Sequence, residues 1–300
     1  MKHLLLAAVC IILLAGCNDH KPDKAATADS VHIYPAVSYL DIKLDSKGHL
    51  PANPYILEFE KGRKKIVFCG VTHLASNDDI DNPMFRAIEE KFYSFRPDVA
   101  VNEGGDISKK QYASRKDALL KDGEIGLTKI LCDSLKISTV DGDPAAKLEF
   151  NELLKRFSKG QMLAYIVTER LMWGLKGQQI KDSAEIEERY NEFLQNYIIK
   201  EGGVELSTTE QTFAFYKSNY EQLLQRPFSL AELEPTNPFD PNGTFQNIGR
   251  ASKEIRDQYL MKTIDSLLVT HDKVFVVFGG WHLLTCKPGL EEIINASASR

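Results

Sequence analysis

Ile66-Val67-Phe68-Cys69-Gly70-Val71-Thr72-His73 and Val274-Phe275-Val276-Val277-Phe278-Gly279-Gly280-Trp281-His282 are the two stretches on which the fold turns. Each is a continuous apolar run closed by glycine, with a histidine three residues after a glycine. Such runs read as strands buried on both faces, as in a sheet covered by helices on either side. In open α/β sheets, ligand chemistry collects beyond the carboxyl ends of these strands. The pattern therefore predicts that His73 and His282, far apart in the chain, reach the same edge of one sheet.

Working outward, residues 55–59 and 65–68 flank Glu60-Lys61-Gly62-Arg63 and read as a hairpin leading into the first motif. Residues 84–95 carry Phe85, Ile88, Phe92 and Phe95 at helical spacing, and Pro97 ends that helix. A strand is expected over 98–102, closing on Glu103-Gly104-Gly105, where the glycines permit a sharp turn beside the carboxylate. Helices follow at about 108–121 and 127–135, then a short strand at 138–140 ending in Asp141-Gly142-Asp143-Pro144. From about 145 to 225 the pattern is helical, including 161–173 and 184–199, and reads as an insertion or cap. Its aromatics (Tyr165, Trp173, Tyr190, Tyr197, Phe213, Phe215, Tyr216 and Tyr220) are expected in a core. Residues 228–246, with Pro235, Pro238 and Pro241, have loop chemistry and are expected at the rim of a site. An amphipathic helix at 252–268 feeds the last strand. The expected fold is α/β (or α+β), a central mixed sheet flanked by helices with a helical insertion. Residues 31–300 are expected to form a single domain.

The N-terminus reads separately. Lys2 and the apolar stretch 4–14, too short to span a bilayer, end in Leu14-Ala15-Gly16-Cys17. This resembles a bacterial lipobox, so residues 1–16 are expected to be a signal peptide and Cys17 the lipidated, palmitate-bearing residue. Asn18 after it raises no obvious flag for inner-membrane retention but does not by itself decide the membrane or the face; the expectation is a lipid-anchored protein of the bacterial cell envelope, at the periplasmic face of the outer membrane. Residues 17–30 are polar and read as a flexible tether.

The formal charge of −5 is mildly acidic, and no basic cluster interleaved with aromatics is present, which argues against nucleic acid as a partner. Cys69, Cys132 and Cys286 remain after Cys10 and Cys17 are set aside. Three cysteines allow at most one disulfide, and the favoured reading is core packing rather than a soft-metal role for Cys69 and Cys286.

His73, Glu103 and His282 form the candidate constellation. Imidazole and carboxylate suit a divalent first-row metal such as manganese, cobalt or zinc, and three protein ligands leave a position for water. Metal-bound water is a nucleophile near neutral pH. Without metal, a His–Glu pair can act as general base and orienter. Asp78 and Asp79, Asp141 and Asp143, and Glu169-Arg170 read as loop solvation, turn chemistry and an ion pair, respectively.

The segment from Gly70 to His73, a helix, and then Arg96-Pro97-Asp98-Val99-Ala100-Val101-Asn102-Glu103 resembles the opening of TraB/GumN/TIKI-type proteins. Arg256-Asp257-Gln258-Tyr259-Leu260-Met261 and Gly279-Gly280-Trp281-His282 stand where that group has an Arg-bearing helix and a second Gly-x-x-His. The chain departs from the group at Asp257, where many members have Asn, and at Asn102, where an apolar residue is usual. The resemblance implies a metal-dependent hydrolase, a peptidase or esterase acting on a peptide or small molecule. His73, Glu103 and His282 would be its metal ligands, Glu103 alternatively its general base, and Arg256 would stabilise an oxyanion. The wider group is similar to erythromycin-esterase-like proteins and to a haem-binding envelope lipoprotein. The alternative expectation is therefore a non-catalytic lipoprotein that binds haem, metal or peptide.

Overall fold

A computed structural model describes residues 32–43, 50–74, 79–180 and 182–297. Cys17, the signal stretch, the tether and Asp78 lie outside the described residues. From Ile33 onward the chain forms one compact unit.

The hairpin is present: β1 (Tyr55–Lys61) and β2 (Lys64–Val71) pair antiparallel, Tyr55 opposite Gly70 and Lys61 opposite Lys64. Helix α1 (Pro83–Phe95) starts where the Asn82 side chain accepts the Met84 N–H and proline takes the first turn. β3 (Val99–Asn102), α2 (Arg115–Leu135) and β4 (Ser138–Asp141) follow. After the helical segment, α8 (Thr244–Thr270) feeds β5 (Lys273–Gly279), and α9 (Gly280–Ser297) closes the described chain. The sheet order is β1-β2-β5-β3-β4, with β2, β5, β3 and β4 parallel. The fold is thus a mixed α/β sheet flanked by helices.

Alternation along the strands explains why their sequences read as uninterrupted apolar runs. Ile66, Phe68, Val274, Val276 and Phe278 pack with α8 and α9 on one face. Val67, Cys69, Val71, Phe275 and Val277 pack with α1 and α2 on the other. Neither face meets water, so both sets of positions must be apolar. Cys69, Cys132 and Cys286 are free and buried, and burial raises their thiol pKa values, Cys132 to about 12.

The inserted segment has its own core. It contains α3 (Ala146–Leu154), α4 (Lys159–Val167), a π-helical turn Thr168–Met172, α5 (Trp173–Lys176), α6 (Ser183–Phe193), a second π-helical stretch Leu194–Glu201, and α7 (Phe213–Leu224). Tyr165, Tyr190, Phe213, Tyr216 and Tyr220 are buried there and Tyr197 and Phe215 pack against them, but Trp173, expected in the same core, is 37 % exposed. Helix α8 joins the two cores. Its first half contributes Phe245, Ile248 and Ile255 to the helical core, and its second half contributes Leu260, Met261, Ile264 and Leu268 to the sheet.

Two expected boundaries are corrected. The helices expected at 108–121 and 127–135 are one element, α2, which begins only at Arg115 after Ser114 caps the Asp117 N–H. The expected break survives as a kink at Asp122 and Gly123, the latter at φ 54°. The helix expected at 252–268 starts at Thr244, because Phe245 and Ile248 find apolar partners in the insertion and extend its buried stripe. The proline-bearing loop is correspondingly shorter.

Candidate functional site

Parallel pairing sets the two motifs side by side, with Val71 opposite Gly279. They then leave the sheet differently. β2 runs on in extended form, with the Thr72 N–H held by the Asn53 side chain, so His73 lies in a loop. β5 passes straight into α9, which places His282 in the first turn of a helix. The third element, β3, delivers Glu103 at its end. Gly104 and Gly105 adopt φ values of 97° and 100°, a region that L side chains avoid. The turn they make is fixed from two sides. Asn102 Nδ2 donates to the Glu103 and Gly105 carbonyls, while the Gly104 and Gly105 N–H groups donate to Asp143 and Asp141. The strand-end acids expected as turn chemistry do hold a turn, namely the one that carries Glu103.

Glu103 is the centre of the arrangement. Its Oε1 accepts from Arg256 Nη2 at 2.5 Å, and its Oε2 accepts from the Gly279 N–H at 2.6 Å and faces His73 Nε2 at 3.2 Å. Arg256 also donates through Nε to Asp143 at 2.7 Å. Burial opposes the Glu103 charge, but Arg256, His73 and His282 outweigh it and hold the carboxyl well below the usual range. Arg256 is likewise buried at a cost, and Glu103 and Asp143 keep its guanidinium firmly charged. An arginine on an amphipathic helix usually faces water; this one is only 13 % exposed and ties α8 to the ends of β3 and β4.

Both imidazoles are oriented from behind by carboxylates. His73 Nδ1 lies 2.6 Å from Glu124 Oε1, and the α2 kink immediately precedes Glu124. His282 Nδ1 lies 2.5 Å from Asp257 Oδ1, and Asp257 Oδ2 accepts from the Tyr39 and Thr285 hydroxyls. A carboxylate on Nδ1 fixes the ring and leaves Nε2 as the working atom. Burial lowers the His73 pKa, but hydrogen bonds to Glu103 and Glu124 overcome this and raise it to about 10. Gly279 sits among these groups. A Cβ there would stand 3.1 Å from Glu103 Oε2 and 3.4 Å from both His73 Nε2 and His282 Cδ2.

The expected residues His73, Glu103, His282 and Arg256 all line one cavity of about 320 Å³, together with Lys253. A second, charged cavity of about 570 Å³ shares Glu103 and Arg256 with it. Sequence reasoning did not single out Glu124 or Lys253, and it treated Asp257 only as a departure. Glu124 and Asp257 look like ordinary helix-surface acids, although the Gly123-Glu124 step between two helical runs was a signal. Asp79 accepts from Asn82 Nδ2 before α1. Glu169 and Arg170 are paired mainly elsewhere, Arg170 with Glu149 at 2.7 Å and Glu169 with Lys253 at 3.2 Å.

Among the described residues, no group of three or more His, Cys, Asp or Glu side chains is already arranged to hold a metal ion. The donors nonetheless suit a divalent cation in chemistry. Two donors bound at about 2.1 Å to one tetrahedral ion stand roughly 3.4 Å apart. His73 Nε2 and Glu103 Oε2 are 3.2 Å apart, and the His282 ring converges with them on the Cβ side of Gly279. His73 lies between the Glu103 and Glu124 carboxylates, whose negative charge converges on this place.

The class these features define is a mixed α/β fold with paired histidines, a glutamate and an arginine at the carboxyl edge of its sheet. No protein-family model matches the chain, and no curated protein matches its sequence.

Proposed function

We propose that the protein is a lipid-anchored cell-envelope hydrolase of the TraB/GumN/TIKI type, acting on a peptide or ester bond and dependent on a divalent metal. His73, Glu103 and His282 would hold the metal, which when bound supplies an activated water and polarises the carbonyl under attack. The observation that carries this reading is the pair of buried carboxylates, Glu124 and Asp257, each fixing the Nδ1 of a motif imidazole. Outer carboxylates of this kind are the usual support of metal-binding histidines. Arg256, held by Glu103 and Asp143 at the edge of the same cavity, would supply a fixed donor to a developing oxyanion.

The test is elemental analysis of protein beginning after Cys17, loaded with manganese, cobalt or zinc, against a His73→Ala/His282→Ala double mutant, followed by a peptide and ester hydrolysis screen. Stoichiometric metal that is lost in the folded double mutant, with metal-dependent cleavage, is expected. No metal in the wild type, or a Soret band on haem titration instead, would overturn the reading. The anchor is tested separately: labelled palmitate incorporation is expected in the full chain and not in Cys17→Ser.

A further inference from the structure

The two cavities that meet at Glu103 and Arg256 differ in chemistry. One side is charged and carries Asp141, Glu149, Arg170 and Glu201. The other is walled beyond the histidines by Leu50, Val71, Gly279, Gly280 and Trp281, which are mostly apolar. Leu50 is seated tightly, since a Cβ on Gly280 would lie 2.1 Å from its Cδ1. Trp281 is braced from behind: Phe239 meets it edge-on at 4.6 Å, and Phe239 in turn leans on Tyr39 at 6.2 Å. The Tyr39 hydroxyl donates to Asp257, which holds His282. The apolar wall and the orientation of one imidazole therefore share a single aromatic stack.

A concave apolar pocket with a few convergent polar groups is the usual form of a ligand site. A cavity of about 320 Å³ has room for a bulky side chain beside the reacting groups. From these observations, and resting on the hydrolase reading above, we infer that Trp281 and Leu50 form a specificity pocket for a large apolar side chain, so that the substrate is an amide or ester with an aromatic or branched aliphatic group beside its scissile carbonyl. The polar remainder of such a substrate passes Glu103 and Arg256 into the charged cavity.

The chain has two tryptophans, Trp173 and Trp281. Trp173 lies in the helical insertion, donates to the Glu234 carbonyl at 3.3 Å, and is 37 % exposed. In Trp173→Phe, Trp281 is therefore the sole fluorescent reporter of the pocket. Titration with N-acetyl-phenylalaninamide is expected to give a saturable change in Trp281 emission, with affinity at least about tenfold tighter than for N-acetyl-glycinamide. Adding Leu50→Ala is expected to erase most of that discrimination while circular dichroism remains unchanged. Equal binding of the two probes, no change in emission, or undiminished discrimination in the Leu50→Ala protein would overturn the inference. The titration reads binding without metal or turnover. It can therefore fail while metal-dependent hydrolysis stands, and it can succeed where hydrolysis is absent.

Discussion

The two Gly-x-x-His segments leave neighbouring parallel strands, yet they make opposite kinds of structure. His73 sits on an open loop with half of its side chain exposed, clamped between Glu103 and Glu124. His282 opens a helix, is 5 % exposed, and belongs to a closed network with Asp257, Tyr39 and Thr285. The difference teaches that a repeated motif can divide its labour. The buried arm is bound into the core and holds a fixed position, whereas the open arm presents its imidazole to the cavity between two carboxylates. Changes on the buried side should therefore appear first as lost stability, and changes on the open side as lost binding or activity.

The largest effect belongs to the group that joins the arms. Arg256→Ala leaves Glu103 and Asp143 buried without their cation, and breaking such a pair costs about 3–5 kcal/mol. Urea denaturation is the measurement, and a loss under 1 kcal/mol would show that the arms stand independently. On the buried arm, Asp257→Ala strands His282, Tyr39 and Thr285 together, for an expected loss of about 2–4 kcal/mol by the same assay. On the open arm, Glu124→Ala is expected to weaken metal binding by about 10–100-fold, read by calorimetry, with little change in melting temperature. Equal stability losses in these two variants would break the comparison.

The pH dependence tests the open arm by itself. A histidine with a raised folded pKa adds stability that is complete below its unfolded value near 6.5 and disappears as pH rises through its folded value, about 10. Glu103 has the opposite sign: its depressed carboxyl stabilises the fold above the usual carboxylate range, and this is lost as pH falls through its folded pKa. Denaturation midpoints are therefore expected to decline from pH 6.5 toward 10 in wild type, and His73→Ala is expected to flatten that limb. On the proposed metal reading, the ion would displace the same proton, and metal affinity is then expected to rise across this interval. The smallest effect is that of Tyr39→Phe, which removes one hydroxyl from the buried arm for about 0.5–1.5 kcal/mol.

Much of this could be read from the chain. The apolar strands, the glycine exits and the delivery of His73, Glu103 and His282 to one sheet edge follow from local patterns, because burial on both faces leaves strands no polar positions, whereas Arg256 was expected only from the family resemblance. Glu124 and Asp257 could not be found in this way. An acid on a helix looks the same in sequence whether it faces water or an imidazole, and only the kink in α2 and the crossing of α8 decide which. The start of α8 shows the same limit from the other side. Polar residues at its beginning hid a helix that the insertion's core stabilises.

The sequence by itself determined which strands are buried, in what order they alternate with helices, and which side chains reach the sheet's working edge. These are properties of short windows, set by backbone periodicity and the freedom of glycine. Tertiary structure decided the rest. The pairing of β2 with β5 set the histidines together, the crossing of α8 brought Arg256 to Glu103, and two distant carboxylates fixed the imidazoles. Each of these depends on groups that meet only after the chain has folded, when burial makes their charges matter to one another.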